Sequence, residues 1–128
     1  MIFGLGTDIT SIERLRKVLK KHGEVFVKRV FTDAEQQEAA QRRDTTEYYA
    51  GRWCAKEALA KALGCGIGEK CALQDICILN TPNGAPKLTL SGTALKTAQQ
   101  RNAGRIHVSI SHERHYAMAT VIIENVNK

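Results

Sequence analysis

Residues 53–68, WCAKEALAKALGCGIG, constrain the fold more than any other stretch. Alanine and leucine favour a helix here, and glycines at 64, 66 and 68 end it. Trp53, Ala55, Ala58, Leu59, Ala60 and Leu63 spread apolar surface around most of its circumference. A helix apolar on nearly all sides belongs inside a protein, with other elements packed around it. Glu57 and Lys61 lie four apart on one side of this helix. Charge in such a setting needs a partner, a metal or a ligand. An ion pair facing water is the simpler explanation of the two residues alone. Asp8 shifts the balance, because it interrupts the apolar strand IFGLGTDI of residues 2–9. Two isolated acids in apolar surroundings, one beside a lysine, point to a metal and an anionic substrate.

The pattern along the chain predicts the order β-ααα-ββ-α-ββ, an α+β domain in which a largely antiparallel sheet packs on helices. A strand covers Ile2–Ile9. Thr10 and Glu13 have the spacing of a capping box. The helix they open carries Ile12, Leu15, Val18 and Leu19 on one stripe and ends before Gly23. Val25–Phe31 reads as a short helix. Thr32 and Glu35 form a second capping box, and the stretch from Asp44 starts the long helix that carries Glu57 and Lys61. Asp75–Asn80 and Lys87–Leu90 read as strands joined by the turn sequence TPNGAP. Ser91 caps a helix that ends near Gly104. Ile106, Val108 and Ile110 alternate with His107, Ser109 and Ser111 in a strand. Residues 112–115 turn it back into the strand Tyr116–Glu124. A length of 128 residues supports one domain spanning 1–128.

Composition excludes some classes. No apolar run approaches the ~20 residues of a membrane span. No basic stretch followed by a signal-type apolar run opens the chain, so a cytoplasmic location is expected. The cysteines at 54, 65, 71 and 77 form no CxxC pair and complete no zinc spacing with histidine, so four reduced thiols are expected. The net charge of +6 is concentrated early, in Arg14, Arg16, Lys17, Lys20, Lys21, Lys28 and Arg29. Such a face is either simply solvated or attracts an acidic partner. With seven aromatic residues (one Trp, three Tyr, three Phe) and no nucleic-acid motif, a nucleic-acid-binding module is the weaker reading.

The candidate chemistry rests on few groups. Asp8 is either a turn acceptor for the following helix or a metal ligand. Asp8 and Glu57 together suit a hard cation such as magnesium, which takes few carboxylates and completes its shell with water and phosphate oxygens. Lys61 is a suitable point charge for phosphate. His107, Ser109 and Ser111 share one strand face, which is either the solvent side or a row of donors for a ligand. No GxSxG, Walker A or GxGxxG pattern is present.

Five segments together carry a resemblance: GLGTDITSIERL at 4–15, FTDAE at 31–35, RWCAKEALAKALGCGIG at 52–68, GAPKLTL at 84–90 and HVSISHERHYAMATVII at 107–123. In these the chain resembles the holo-[acyl-carrier-protein] synthase family, the small trimeric class of 4′-phosphopantetheinyl transferases, over nearly its whole length. The early GTD combined with the later KEAxxKA is the specific part. The resemblance implies magnesium-dependent transfer of phosphopantetheine from coenzyme A to a serine of apo acyl carrier protein, in support of fatty acid biosynthesis. It implies that Asp8 and Glu57 hold the metal against the pyrophosphate and that Lys61 neutralises the same group. It implies Arg52 and His107 at the adenosine 3′-phosphate end, Gly64 and Pro86 lining the coenzyme site, and Arg14 docking the acidic carrier protein. A homotrimer with sites between subunits is implied as well. The serine proton would go to Glu57 or to a water on the metal. Cys54, Cys65 and the bulky Trp53 depart from the family pattern but remove no charged group.

Overall fold

The computed structural model describes residues 1–126. Strand β1 (Ile2–Ser11) leads directly into helix α1 (Ile12–Val30), followed by α2 (Asp33–Ala39) and α3 (Thr45–Leu63). A single 3₁₀ turn (Leu73–Asp75) precedes the hairpin β2 (Ile76–Asn80) and β3 (Pro86–Leu90). Helix α4 (Gly92–Gln100) then leads to the hairpin β4 (Ala103–His112) and β5 (Tyr116–Asn125). The expected element order and α+β class are those observed. The antiparallel pairing is divided between two sheets, β1-β5-β4 and β2-β3.

Local signals set most boundaries. Thr32 and Glu35 make the reciprocal capping box expected at α2, and Asp44 caps α3 by accepting from the Glu47 amide. Gly23, at φ 51°, breaks α1 where its first segment was expected to end. Two caps differ from the expectation. The α1 cap is Ser11, whose hydroxyl accepts from the Arg14 amide, because β1 continues through Thr10 and Ser11 by pairing with Ala117 and Tyr116. Ser91 makes no side-chain cap. The acceptor at α4 is Asp75, whose carboxylate takes the Ala94 amide at 3.2 Å and the Thr93 hydroxyl at 2.5 Å. Helix α4 ends at Gln100, short of the expected Gly104.

Helix α3 is the centre of the molecule. It packs on β1, β5 and β4 and is enclosed elsewhere by α1, α2 and β2. Leu59 and Leu63 are fully buried, each removal from water being worth ~1.5–3 kcal/mol. The helix crosses the sheet close to the main chain. A Cβ on Gly4 would strike the Ala62 carbonyl oxygen, and one on Gly6 the Ala58 carbonyl oxygen. At the far end Gly51 lies against Ile110 on β4, where a Cβ would meet the side-chain methyl at 2.9 Å. The backbone atoms cannot move aside as the methyl can. Gly6→Ala should therefore cost about 3 kcal/mol or more, the upper end of overpacking. Urea unfolding checks this, and an unchanged midpoint would contradict the close approach.

No helix among the described residues is long and apolar enough to cross a membrane. All four cysteines are free thiols, as expected.

Candidate active site

The approach of β1 to α3 brings the sequence-predicted trio together. Gly4 meets Ala62 and Gly6 meets Ala58, so Asp8 lies one step further toward the N-terminus of α3, and the Lys61 side chain, leaning that way, reaches it. The Lys61 ammonium donates to the Asp8 carboxylate at 3.1 Å and to the Thr7 carbonyl at 2.9 Å. Lys61 is about half exposed, whereas the Asp8 side chain is 17% exposed. Glu57, one turn before Lys61, is half-buried. Burial pushes its carboxyl pKa above the ordinary value, the Asp8 charge adds to this, and Lys61 opposes both. Behind Asp8, the Cys54 thiol donates to the Ala117 carbonyl at 3.3 Å. Burial, with the Asp8 charge, pushes this thiol up to about 12, so it stays protonated and inert.

A carboxyl whose pKa is raised by burial first and by a neighbouring carboxylate second is a place where a cation would relieve unfavourable charge. Among the described residues no cluster of three His, Cys, Asp or Glu side chains exists, which rules out a closed protein cage. The donor set is instead two carboxylates, Asp8 and Glu57, close enough to feel each other's charge. That fits a hard cation sharing its shell with water and phosphate.

A cavity of about 500 Å³ lies at the other end of α3. Arg42, Arg43, Tyr48, Arg52, Pro86 and His112 are among the residues lining it. Arg52 is buried in its wall. Its Nε donates to the Ile78 carbonyl at 3.1 Å, and Nη2 donates to Glu38 at 2.7 Å and to the Asn80 amide oxygen at 3.0 Å. Arg42 and Arg43 are exposed and bring further positive charge. Asp44 and Glu47 also line the cavity, so its anion-binding side is the one at Arg42, Arg43 and Arg52.

The two places do not merge within one chain. Asp8 on β1 pairs with Ala119 on β5, which pairs with Ile110 on β4 at the cavity wall. They therefore occupy opposite edges of a three-stranded sheet, roughly 10 Å apart at ~4.8 Å per strand.

Other expected residues lie apart. Pro86 lines the cavity, but Gly64 ends α3 beside Lys61, at φ 86° with its amide on the Ala60 and Lys61 carbonyls. His107 does not line the cavity. It stands on the outer sheet face, 2.5 Å from Glu124, while His112 occupies the cavity rim and lies 3.4 Å from Glu47. Arg14 is exposed on α1. Sequence reasoning missed Arg42, Arg43, Glu38 and Tyr48. The adjacent arginines in a polar, glutamine-rich stretch were the available signal.

Comparisons with known proteins agree with this geometry. Residues 4–121 match the 4′-phosphopantetheinyl transferase superfamily. A holo-[acyl-carrier-protein] synthase of Vibrio cholerae is 48% identical over 124 residues, covering 97% of this chain and 98% of that one. The crystal structure of the Neisseria meningitidis holo-[acyl-carrier-protein] synthase superposes with a TM-score of 0.92 at 34% identity, covering 98% of this chain and all of that one. The Helicobacter pylori synthase in complex with coenzyme A has a TM-score of 0.84 at 32% identity, covering 94% and 99%. Joined to the pairing of Asp8 and Lys61 across β1 and α3, these matches establish that the chain belongs to the holo-[acyl-carrier-protein] synthase family of 4′-phosphopantetheinyl transferases.

Proposed function

We propose that this chain, as one domain, transfers the 4′-phosphopantetheine group of coenzyme A to a serine of apo acyl carrier protein. Adenosine 3′,5′-bisphosphate is released. The observation that carries the reading is Lys61 held on Asp8 with Glu57 one helical turn away, in a chain whose relatives carry out this transfer. The coenzyme A bound by the Helicobacter pylori relative supports the donor. Incubation with apo carrier protein, coenzyme A and magnesium should add one phosphopantetheine, read by intact mass. No mass gain would overturn the reading.

Asp8 and Glu57 are the residues that would hold magnesium, which supplies charge neutralisation at the pyrophosphate when bound. Lys61 sits where its ammonium can move from Asp8 to a phosphate oxygen. The carrier serine oxygen attacks the β-phosphorus, the bond from that phosphorus to the bridging oxygen breaks, and the bisphosphate leaves with the electron pair. The serine proton must pass to a base at the site, and Glu57 or a water at the metal position would take it. The cavity at Arg42, Arg43, Arg52 and Pro86 would receive the nucleotide end, with Arg52 on the 3′-phosphate.

Because metal site and cavity lie on opposite sheet edges, a complete site is best formed between copies. The outer sheet face supports this, with Leu5 at 60%, Ile9 at 65% and Met118 at 43% exposed in the single chain. His107 and Gly64 would then belong to shared walls. A homotrimer is the expected assembly. Asp8→Ala and Arg52→Ala, each impaired alone, should regain part of the activity when co-expressed, since some sites would be assembled from intact halves. No recovery in verified mixed oligomers would rule out shared sites.

Arg14, Lys17, Lys21, Lys28 and Arg29 are all exposed on α1 and would dock the acidic carrier protein. Arg14→Glu should raise KM for the carrier about tenfold at low salt, the result of turning an attraction of ~0.7 kcal/mol into an equal repulsion. Salt should shrink the difference, and KM for coenzyme A should hold. Equal loss for both substrates would exclude this docking role. A cytoplasmic enzyme of fatty acid biosynthesis is consistent with these features.

A further inference from the structure

The cavity wall contains a polar cluster that the transfer reaction does not itself require. Glu38, on α2, has a side chain 17% exposed and three close donors. Its Oε1 accepts from the Tyr48 hydroxyl at 2.7 Å and from Arg52 Nη2 at 2.7 Å, while Oε2 accepts from the Asn80 amide at 3.0 Å. The Asn80 side-chain oxygen returns to the same Nη2 at 3.0 Å. The Tyr48 ring lies under the guanidinium, 4.3 Å from its carbon. Nε is taken by the Ile78 carbonyl. Among the described residues Nη1 has no partner, and none of their buried side-chain nitrogens or oxygens is unsatisfied. Nη1 therefore opens onto the cavity.

Resting on the placement of the nucleotide end in this cavity, we propose that Glu38, with Tyr48 and Asn80, is a positioning device that presents the free edge of Arg52 to the 3′-phosphate of coenzyme A. Arginine has four rotatable bonds leading to its guanidinium, and freedom in them weakens recognition of a fixed anion. Here two of its three nitrogens are tied to α2 and β2, and its face is held against an aromatic ring. Only the edge facing the cavity is left to bind. The negative charge of Glu38 also balances a buried cation when the cavity is empty, so Arg52 can stay in the wall without a ligand. Glu38 itself touches no substrate. It acts through Arg52.

Calorimetry with coenzyme A and with 3′-dephospho-coenzyme A tests this on the full chain. Glu38→Gln should weaken coenzyme A roughly tenfold, by loosening a group whose displacement of ~1 Å can cost up to 10²-fold. Binding of the dephospho form should barely change, and kcat at saturating coenzyme A should be retained. Tyr48→Phe, which removes one hydroxyl, should act in the same direction with smaller effect, and it decides the matter if Glu38→Gln does not fold. Equal weakening of both ligands, or of neither, would reduce Glu38 to a merely structural residue and overturn the proposal. Arg52→Met separates the two levels. If it leaves the preference for coenzyme A over the dephospho form intact, the placement of the 3′-phosphate fails and the proposal falls with it. If it abolishes that preference while Glu38→Gln keeps it, only the positioning role fails.

Discussion

Asp8→Ala or Glu57→Ala should each lower turnover by about 10²–10³, the scale of deleting one preorganised electrostatic group. The fold should persist, because neither side chain fills the core. Glu57 carries a second, independent signature in stability. Its pKa in the folded protein is raised from 4.5, so the native state holds that proton more tightly than the unfolded chain does. The associated stabilisation is complete below about 4.5, the unfolded value, and is lost as pH rises through the folded value. At neutral pH the ionised Glu57 thus weakens the fold. Glu57→Gln should melt at a higher temperature than wild type at pH 7, and the gap should close as pH falls below that range. Magnesium should raise the wild-type melting temperature by mass action and leave Glu57→Gln nearly unmoved. Turnover of either alanine variant near the wild-type level would remove that residue from the chemistry. A magnesium response surviving in both would move the metal elsewhere.

The largest stability effect is expected away from the site, at Lys56. Its ammonium is wholly buried 2.8 Å from the wholly buried Glu35 carboxylate. It also donates to the Leu73 carbonyl at 2.9 Å and the Ile76 carbonyl at 2.6 Å. Burial lowers the Lys56 pKa, and Glu35 partly restores it. Lys56→Met leaves Glu35 charged and unpaired in the core and should cost about 3–5 kcal/mol. That is a large share of the ~5–15 kcal/mol holding a typical domain together. Glu35 also accepts the Thr32 and Ile78 amides, so a residue with an acceptor must remain there. Glu35→Gln introduced beside Lys56→Met should recover a substantial part of the loss, since it removes the stranded charge and keeps an acceptor. Urea titrations of both variants measure this. A loss under ~1 kcal/mol in Lys56→Met would mean that water reaches Glu35 once the lysine is gone.

What could be read in the sequence follows the range of the interactions. The alternation in β4 and the apolar circumference of α3 are set by neighbours within one or two turns, and both appear as expected. The Thr32 capping box is equally local, and its success hid something. Glu35 was fully explained by the cap, so nothing prompted a search for the lysine 21 positions later, which it also neutralises. The same limit applies at α4, where the capping carboxylate comes from Asp75, sixteen residues before Ser91. Asp8 and the Glu57–Lys61 pair were legible because charge interrupts apolar patterns there. The cavity was not, because its wall is gathered from the α2–α3 connection, α3, the β2–β3 turn and the end of β4, each unremarkable alone. His107 and His112 lie five apart and so face opposite sides of one strand, but residues 112–115 read as a turn, which hid that His112 shares the face of Ile110 at the cavity.

The contact of Gly4 and Gly6 with the carbonyls of α3 bears on how this protein can change over time. Elsewhere two packed elements are spaced by side chains, so each core substitution resets the gap between them. Here the spacing is set by main chain against main chain, which substitutions at other positions do not alter. The interval between Asp8 and Lys61 is thereby insulated from drift in the rest of the core. Tolerance of variation in the body of the molecule and constancy at its reacting groups become compatible, with the constraint confined to two positions that admit no side chain.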